Sequence, residues 1–127
     1  MKKIILVLYL FICAHTFAQT VPVEFATLKY SFGKIKQNVP VTTSFSFTNK
    51  SAKPLIIEVA TADCGCTSPE YPKAPILAGK TDVIKVTYNA ANAGHFEKNV
   101  TVKFANFSQP VMLEIDGDVI EKPVKSD

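Results

Sequence analysis

The sequence contains no arginine and no tryptophan: all 14 basic residues are lysines, set against 11 aspartates and glutamates. Without arginine the chain has no bidentate fork for phosphate or carboxylate. The formal charge of +3 falls to roughly +1 once Lys2 and Lys3 are set aside with the leader described below, so no basic footprint exists for nucleic acid. There is no glycine-rich phosphate loop, and glycine itself is scarce, at 5 residues. No stretch of a dozen residues keeps a 3.6-residue apolar period free of Pro, Gly or β-branched clusters, which removes helices from the expected fold. With 127 residues, one core is the limit, and a two-lobed enzyme with a cleft between domains is excluded.

The first apolar run is short. Residues 1–18 read as a secretory signal peptide, with Lys2 and Lys3 as the charged start, residues 4–14 as the apolar stretch, and Thr16-Phe17-Ala18 as the cleavage site ahead of Gln19. Eleven apolar residues cover only about half of a ~30 Å hydrocarbon core, and no later run is longer, so no membrane span is expected. Cys13 has Leu10 three positions before it, as in a lipoprotein signal, but Phe11 and Ile12 are too bulky for the processing peptidase and lipidation is disfavoured. The expected organisation is a signal at 1–18, a lead at 19–26, a sandwich at 27–120 and a polar tail at 121–127. The mature protein would work in the periplasm or outside the cell.

Removing the signal takes Cys13 and leaves two of the 3 cysteines, Cys64 and Cys66, in one Cys-Gly-Cys. Two thiols this close cannot tie distant parts of a fold together, and closing so short a ring removes little unfolded-state entropy. Stability must come from the core.

Along the mature chain, apolar and polar residues alternate with period two. Strands are predicted at 27–32, with Leu28, Tyr30 and Phe32 on one face and a turn at Gly33. The next lies at 41–49, where Val41, Thr43, Phe45 and Phe47 oppose Thr42, Ser44, Ser46 and Thr48. A third is expected at 55–62, with Leu55, Ile57 and Val59 sharing a face and Ile56 partly covered on the other. Residues 63–75 lose the period, hold Pro69, Pro72 and Pro75, and read as a loop. Strands resume at 81–89 through Ile84, Val86 and Tyr88, at 96–104 through Val100, Val102 and Phe104, and at 111–120 through Val111, Leu113, Ile115 and Val119, after a very short strand at Ile76 and Leu77. About seven short strands with turns every ten residues or so predict an all-β chain, an immunoglobulin-like β-sandwich, with a small barrel as the alternative. With no Trp and no inter-sheet cysteine pair, Phe45, Phe47, Phe96 and Phe104 must fill the centre.

Several segments, in order, resemble one known family. They are Tyr30-Ser31-Phe32-Gly33-Lys34-Ile35, Phe45-Ser46-Phe47-Thr48-Asn49, Lys53-Pro54-Leu55-Ile56-Ile57, Cys64-Gly65-Cys66-Thr67, Ala78-Gly79-Lys80, Ile84-Lys85-Val86 and Gly94-His95-Phe96-Glu97-Lys98. Together they are similar to the exported bacterial domain of unknown function 1573, over about residues 27–119. The resemblance implies an immunoglobulin-like sandwich related in style to major-sperm-protein and centrosomal or ciliary accessory domains, in a small exported protein frequent in Bacteroidetes. It implies no activity.

The catalytic inventory is thin. His95 is the one histidine after the signal and sits in a Gly-His-Phe turn that would begin a strand, the usual place of a solvated loop residue and not of a catalytic base. Glu114, Asp116 and Asp118 fall on one face of the last strand, about 7 Å apart in succession. They suit a hard cation such as Ca²⁺ or, as the favoured reading, a solvent-facing polar side. Cys64 and Cys66 carry the remaining chemistry. Gly65 lets the backbone turn sharply enough to aim both sulfurs one way, and three readings stand: a strained, reducible disulfide or pairing with another chain, two reduced thiols packed as small hydrophobes, or a two-coordinate clamp for Cu(I). A copper-delivery factor of cytochrome oxidase assembly has a similar arrangement, a Cys-x-Cys on an exported immunoglobulin-like sandwich. The expectation is a non-enzymatic exported binding or structural module of the cell envelope with a protein partner. The alternative is a Cu(I)-binding or thiol-redox protein that uses Cys64 and Cys66; no other cofactor is expected.

Overall fold

Alternation with period two leaves each strand one apolar face, and the chain buries those faces by stacking two sheets. The computed structural model describes residues 21–121 and residue 123. The expected export signal, its cleavage site and Cys13 lie outside the described residues, as does the expected tail apart from Glu121 and Pro123. Eight strands follow in chain order: β1 (Val23–Phe25), β2 (Lys29–Lys36), β3 (Val41–Asn49), β4 (Ile57–Ala62), β5 (Thr67–Glu70), β6 (Thr81–Tyr88), β7 (Gly94–Phe104) and β8 (Val111–Ile120). One sheet runs β1-β3-β6-β5 and the other β2-β8-β7-β4. Every pairing is antiparallel except β2 with β8, which is parallel. The chain is an all-β, immunoglobulin-like sandwich, as the alternation predicts.

Phe45, Phe47, Phe96 and Phe104 are all buried in the core, with Ile84, Val86, Val100, Val102, Leu113 and Ile115 around them. Phe47 meets Phe104 edge-on at 6.2 Å, and Tyr88 stacks on Phe96 at 3.9 Å. Each phenylalanine so buried stabilises the fold by about 1.5–3 kcal/mol, which is how a sandwich without a central Trp or an inter-sheet disulfide holds its middle.

Five details differ from the sequence expectation. The lead 19–26 contains β1, whose Val23 pairs with Asn49 and Phe25 with Phe47. Gly33 is no turn: Ser31 pairs with Asp116 and Lys34 with Asp118, so Phe32 and Gly33 together face Gly117 in a bulge, with Gly33 at φ 67°. Leu28, just ahead of β2, and Tyr30 are 51% and 42% exposed, because β2 is an edge strand with no strand beyond it among the described residues. A register shift between Ile57 and Val59 turns Val59 out to 42% exposure and leaves Ile56 exposed as well. Finally, the Pro-containing segment expected to be a loop holds β5, an edge strand of four residues on β6, where Pro69 is tolerated.

Gly117 shows what the bulge requires. A Cβ there would come within 2.9 Å of the Gly33 carbonyl oxygen and 2.9 Å of the Phe96 ring. At one end of the sandwich, Asn49 is fully buried and uses its whole amide. Its Nδ2 donates to the carbonyls of Lys53 (2.8 Å) and Ile76 (2.9 Å), while its Oδ1 accepts from the Ser51 N–H (2.9 Å) and hydroxyl (2.8 Å). This one side chain sets the path of the chain between β3 and β4 and fixes it to the segment ahead of β6.

Candidate functional site

The opposite end gathers residues 37–40, 63–66 and 89–93. Asn38 N–H donates to the Ala90 carbonyl (2.8 Å), Gln37 Nε2 to Ala91 O (3.0 Å), and Asn89 N–H to Cys66 O (2.9 Å). Residues 63–66 carry the chain from β4 on one sheet to β5 on the other. The crossing starts at Asp63, whose N–H reaches Asn99 O (3.2 Å) and whose Oδ2 accepts from Asn99 N–H (3.2 Å). It ends at Thr67, whose N–H donates to Cys64 O at 3.4 Å. These anchors bend the Cys-Gly-Cys back on itself: the Cα atoms of Cys64 and Cys66 lie 5.3 Å apart and their sulfurs are joined in a disulfide.

Thr67 is 4% exposed, and its hydroxyl lies 3.7 Å from Cys64 Sγ and 3.6 Å from Cys66 Sγ. Cys66 packs against the hydrophobic core, whereas Cys64, also half-buried, is not part of that packing. Thr67 pairs with Tyr88, whose hydroxyl pKa is raised by burial. In the disulfide form neither sulfur is a metal ligand. Reduced, the two would offer a pair of thiolates, and among the described residues no group of three or more His, Cys, Asp or Glu converges anywhere. A two-coordinate soft ion such as Cu(I) fits such a donor pair; a tetrahedral zinc site does not.

The other candidates resolve differently. The favoured reading of the acidic row holds: Lys29 Nζ bridges Glu114 Oε1 (2.8 Å) and Asp116 Oδ2 (3.3 Å), and Asp118 Oδ1 meets His95 Nδ1 at 3.0 Å. The three carboxylates therefore pair with cationic or potentially cationic neighbours instead of converging on one point, and the Ca²⁺ reading is corrected. Hydrogen bonding from Ser31, then from Lys29, holds the Asp116 carboxyl below the usual carboxylate range. The bonds to Glu114 and Asp116 raise the Lys29 ammonium above its ordinary value. His95 stands at the start of β7, exposed, with Asp118 as its partner.

Sequence reasoning singled out Cys64 and Cys66, whose turn Asp63 and Thr67 hold. It missed Asn89 and Asn99, which anchor the loop from β6 and β7, and it missed that Thr67 is buried. The only available signal was Thr67 itself, at the start of a stretch too short and too rich in Pro to show a period.

Among solved structures the fold is widely shared at low identity. The ASH/PapD-like domain 7 of human CEP192 is similar with a TM-score of 0.69 and 8% identity, over 81% of this chain and 88% of that one. A protein of unknown function from Porphyromonas gingivalis W83 is similar with a TM-score of 0.68 and 13% identity, over 84% of this chain and 50% of that one. The Vibrio cholerae VesB protease is similar with a TM-score of 0.59 and 17% identity, over 77% of this chain but 32% of that one. These likenesses establish the PapD-like and immunoglobulin-like sandwich and nothing more. No curated protein matches the chain. A family model does match, over residues 23–119, from the start of β1 to the penultimate residue of β8. The chain belongs to that family, the proteins of unknown function DUF1573.

Proposed function

We propose that this protein is a non-enzymatic binding or structural module of the bacterial cell envelope that engages a protein partner along a sheet edge. The observation that carries the reading is the β2 edge. It is eight residues long, is paired on one side alone among the described residues, and carries Tyr30, 42% exposed, close in sequence to Leu28, 51% exposed. Val21, Val23, Phe25 and Val111 line a groove with Leu28 beside it. Unpaired backbone groups beside an apolar groove suit an extended segment that adds a strand and seats alternate side chains. Among the described residues no helix is long and apolar enough to cross a membrane.

A photo-crosslinking side chain at Tyr30, with a second at Ser44 on the other sheet as control, tests this in envelope extract. The expected result is one discrete adduct from position 30 that disappears when Leu28→Asp is added. No adduct, or the same adduct from both positions, would count against it. Export is tested by the mass of the protein recovered from the envelope, which should begin at Gln19; a retained Met1 or a lipid on Cys13 refutes it.

Cu(I) binding at Cys64 and Cys66 is the second reading, supported by two sulfurs in one anchored loop. It requires uptake of Cu(I) under reducing, anaerobic conditions that is lost in a Cys64→Ser, Cys66→Ser variant.

A further inference from the structure

A disulfide across one intervening residue constrains the unfolded chain little. Nor is it needed to hold β4 against β5, since the backbone of residues 63–66 joins them and the Asp63–Asn99 and Asn89–Cys66 hydrogen bonds already fix both ends of the crossing. The sulfurs nevertheless have a dedicated neighbour. Thr67 is 4% exposed, and among the described residues the partners of its hydroxyl are the two sulfurs alone. A buried O–H aimed at sulfur gains most when that sulfur is a thiolate, because a hydrogen bond to the charged form favours it. The two sulfurs are also unequal. Cys66 packs on the core and its carbonyl is held by the Asn89 N–H at 2.9 Å, whereas Cys64 lies outside that packing and its carbonyl accepts a longer bond of 3.4 Å.

We propose that Cys64-Gly65-Cys66 is a thiol–disulfide exchange site for a partner dithiol. Cys64 Sγ is the sulfur attacked, and the Thr67 hydroxyl is the donor that receives the departing Cys66 sulfur. In the first step a thiolate of the partner attacks Cys64 Sγ. A partner–Cys64 disulfide forms, the Cys64–Cys66 bond breaks, and its electron pair leaves on Cys66 Sγ, which takes the Thr67 hydrogen bond and then a proton from water. In the second step the partner's other thiol loses its proton and attacks the partner sulfur of the mixed disulfide. This releases Cys64 as a thiolate, which is protonated in turn. The partner gives up two electrons and two protons and becomes a disulfide; Cys64 and Cys66 become thiols. Run backwards, the same steps oxidise the pair at the expense of a partner disulfide.

Dithiothreitol serves as the probe, on the protein as recovered from the cell. Equilibrated across mixtures of reduced and oxidised dithiothreitol, then alkylated and weighed, the pair should titrate reversibly as one two-electron couple with an unchanged circular dichroism spectrum. In single-cysteine variants, Cys64 (in Cys66→Ser) should react with an aromatic disulfide about tenfold faster than Cys66 (in Cys64→Ser). Thr67→Val should slow reduction of the wild-type pair several-fold, and Thr67→Ser should restore it. A pair that stays reduced in excess oxidised dithiothreitol, or stays oxidised in excess reduced dithiothreitol until the protein unfolds, overturns the exchange site. Equal rates from the two single cysteines overturn the assignment of Cys64, and a Thr67→Val protein that reacts like wild type overturns the role of the hydroxyl. Cu(I) uptake by a pair that oxidised dithiothreitol cannot close returns the motif to the metal reading.

Discussion

The two buried polar side chains among the described residues, Asn49 and Thr67, sit at opposite ends of the sandwich and are served in opposite ways. Asn49 has four hydrogen-bond partners, all oxygen or nitrogen, from residues 51, 53 and 76. Thr67 has two, and both are sulfur. A saturated buried amide is a stability device, because its own donors and acceptor are all satisfied where water cannot reach them. A buried hydroxyl turned toward sulfur gives little stability as it stands, since sulfur is a weak acceptor. Its value depends on a change in the sulfur. One end of this domain is built to stay closed, the other to have a second chemical state.

The most direct way to break that contrast is to remove each side chain. Asn49→Leu leaves the Ser51 N–H unpaired and takes one of two hydrogen bonds from each of the Lys53 and Ile76 carbonyls, and should cost about 3 kcal/mol, read as a lower urea midpoint at unchanged slope. Gly117→Ala, which pushes a methyl group into the Gly33 carbonyl and the Phe96 ring, should cost about 1–3 kcal/mol by overpacking and should loosen the Tyr88–Phe96 stack next to the Thr67 end. Thr67→Val keeps the volume and loses only contacts to sulfur, so the oxidised protein should lose less than about 1 kcal/mol. If it loses as much as Asn49→Leu, the two ends are alike and the contrast fails. His95→Ala removes one exposed hydrogen-bonding contact with Asp118 and should change stability by no more than about 0.5 kcal/mol.

The pH response of the outer face of the β2-β8-β7-β4 sheet is the smallest effect. Asp116 has a lowered pKa in the folded state, so its contribution is present at neutral pH and is lost as pH falls through the carboxylate range. Lys29 has a raised one, so its contribution is present at neutral pH and is lost only as pH rises past the ordinary lysine value. Ser31→Ala should move the Asp116 carboxyl back up toward its ordinary value, as measured by NMR titration of its side-chain carboxyl.

What the sequence showed follows from which strands meet two different environments. β3, β6 and β8 put Phe, Ile, Val and Leu on one face and Thr, Ser, Lys and acids on the other, so their alternation was legible almost to the residue. β1 and β5 were not, since three and four residues are too few to display a period, and Pro22 and Pro69 argue against strand on their own. The bulges at Gly33 and between Ile57 and Val59 depend on the partner strand's register, which leaves no mark on the bulged strand's own pattern; hence Val59 was assigned to the wrong face. At the site, the thiols were legible as chemistry because only two cysteines lie beyond the expected signal, both in one Cys-Gly-Cys. The burial of Thr67 follows from pairing with β6, and the Asn49 amide closes on a carbonyl 27 residues away. Neither distance is visible to local pattern.

The parallel pairing of β2 with β8 also sets an order of assembly. As the chain emerges N-terminus first, the β1-β3-β6-β5 sheet has all its strands once residue 88 is out, and each strand can find its neighbour at once. The second sheet cannot follow suit. β2, made early, has no strand to lie against until residues 111–120 arrive, and β7 keeps one bare edge for the same interval. Such long-range closure is slow, and a chain lacking β8 would leave Phe96, Val100 and Val102 beside an unpaired strand edge, a combination that favours aggregation. The ten residues of β8, set between β2 and β7, therefore complete the sheet. A chain clipped before residue 111 would keep most of the sequence of the domain and none of its protection against self-association.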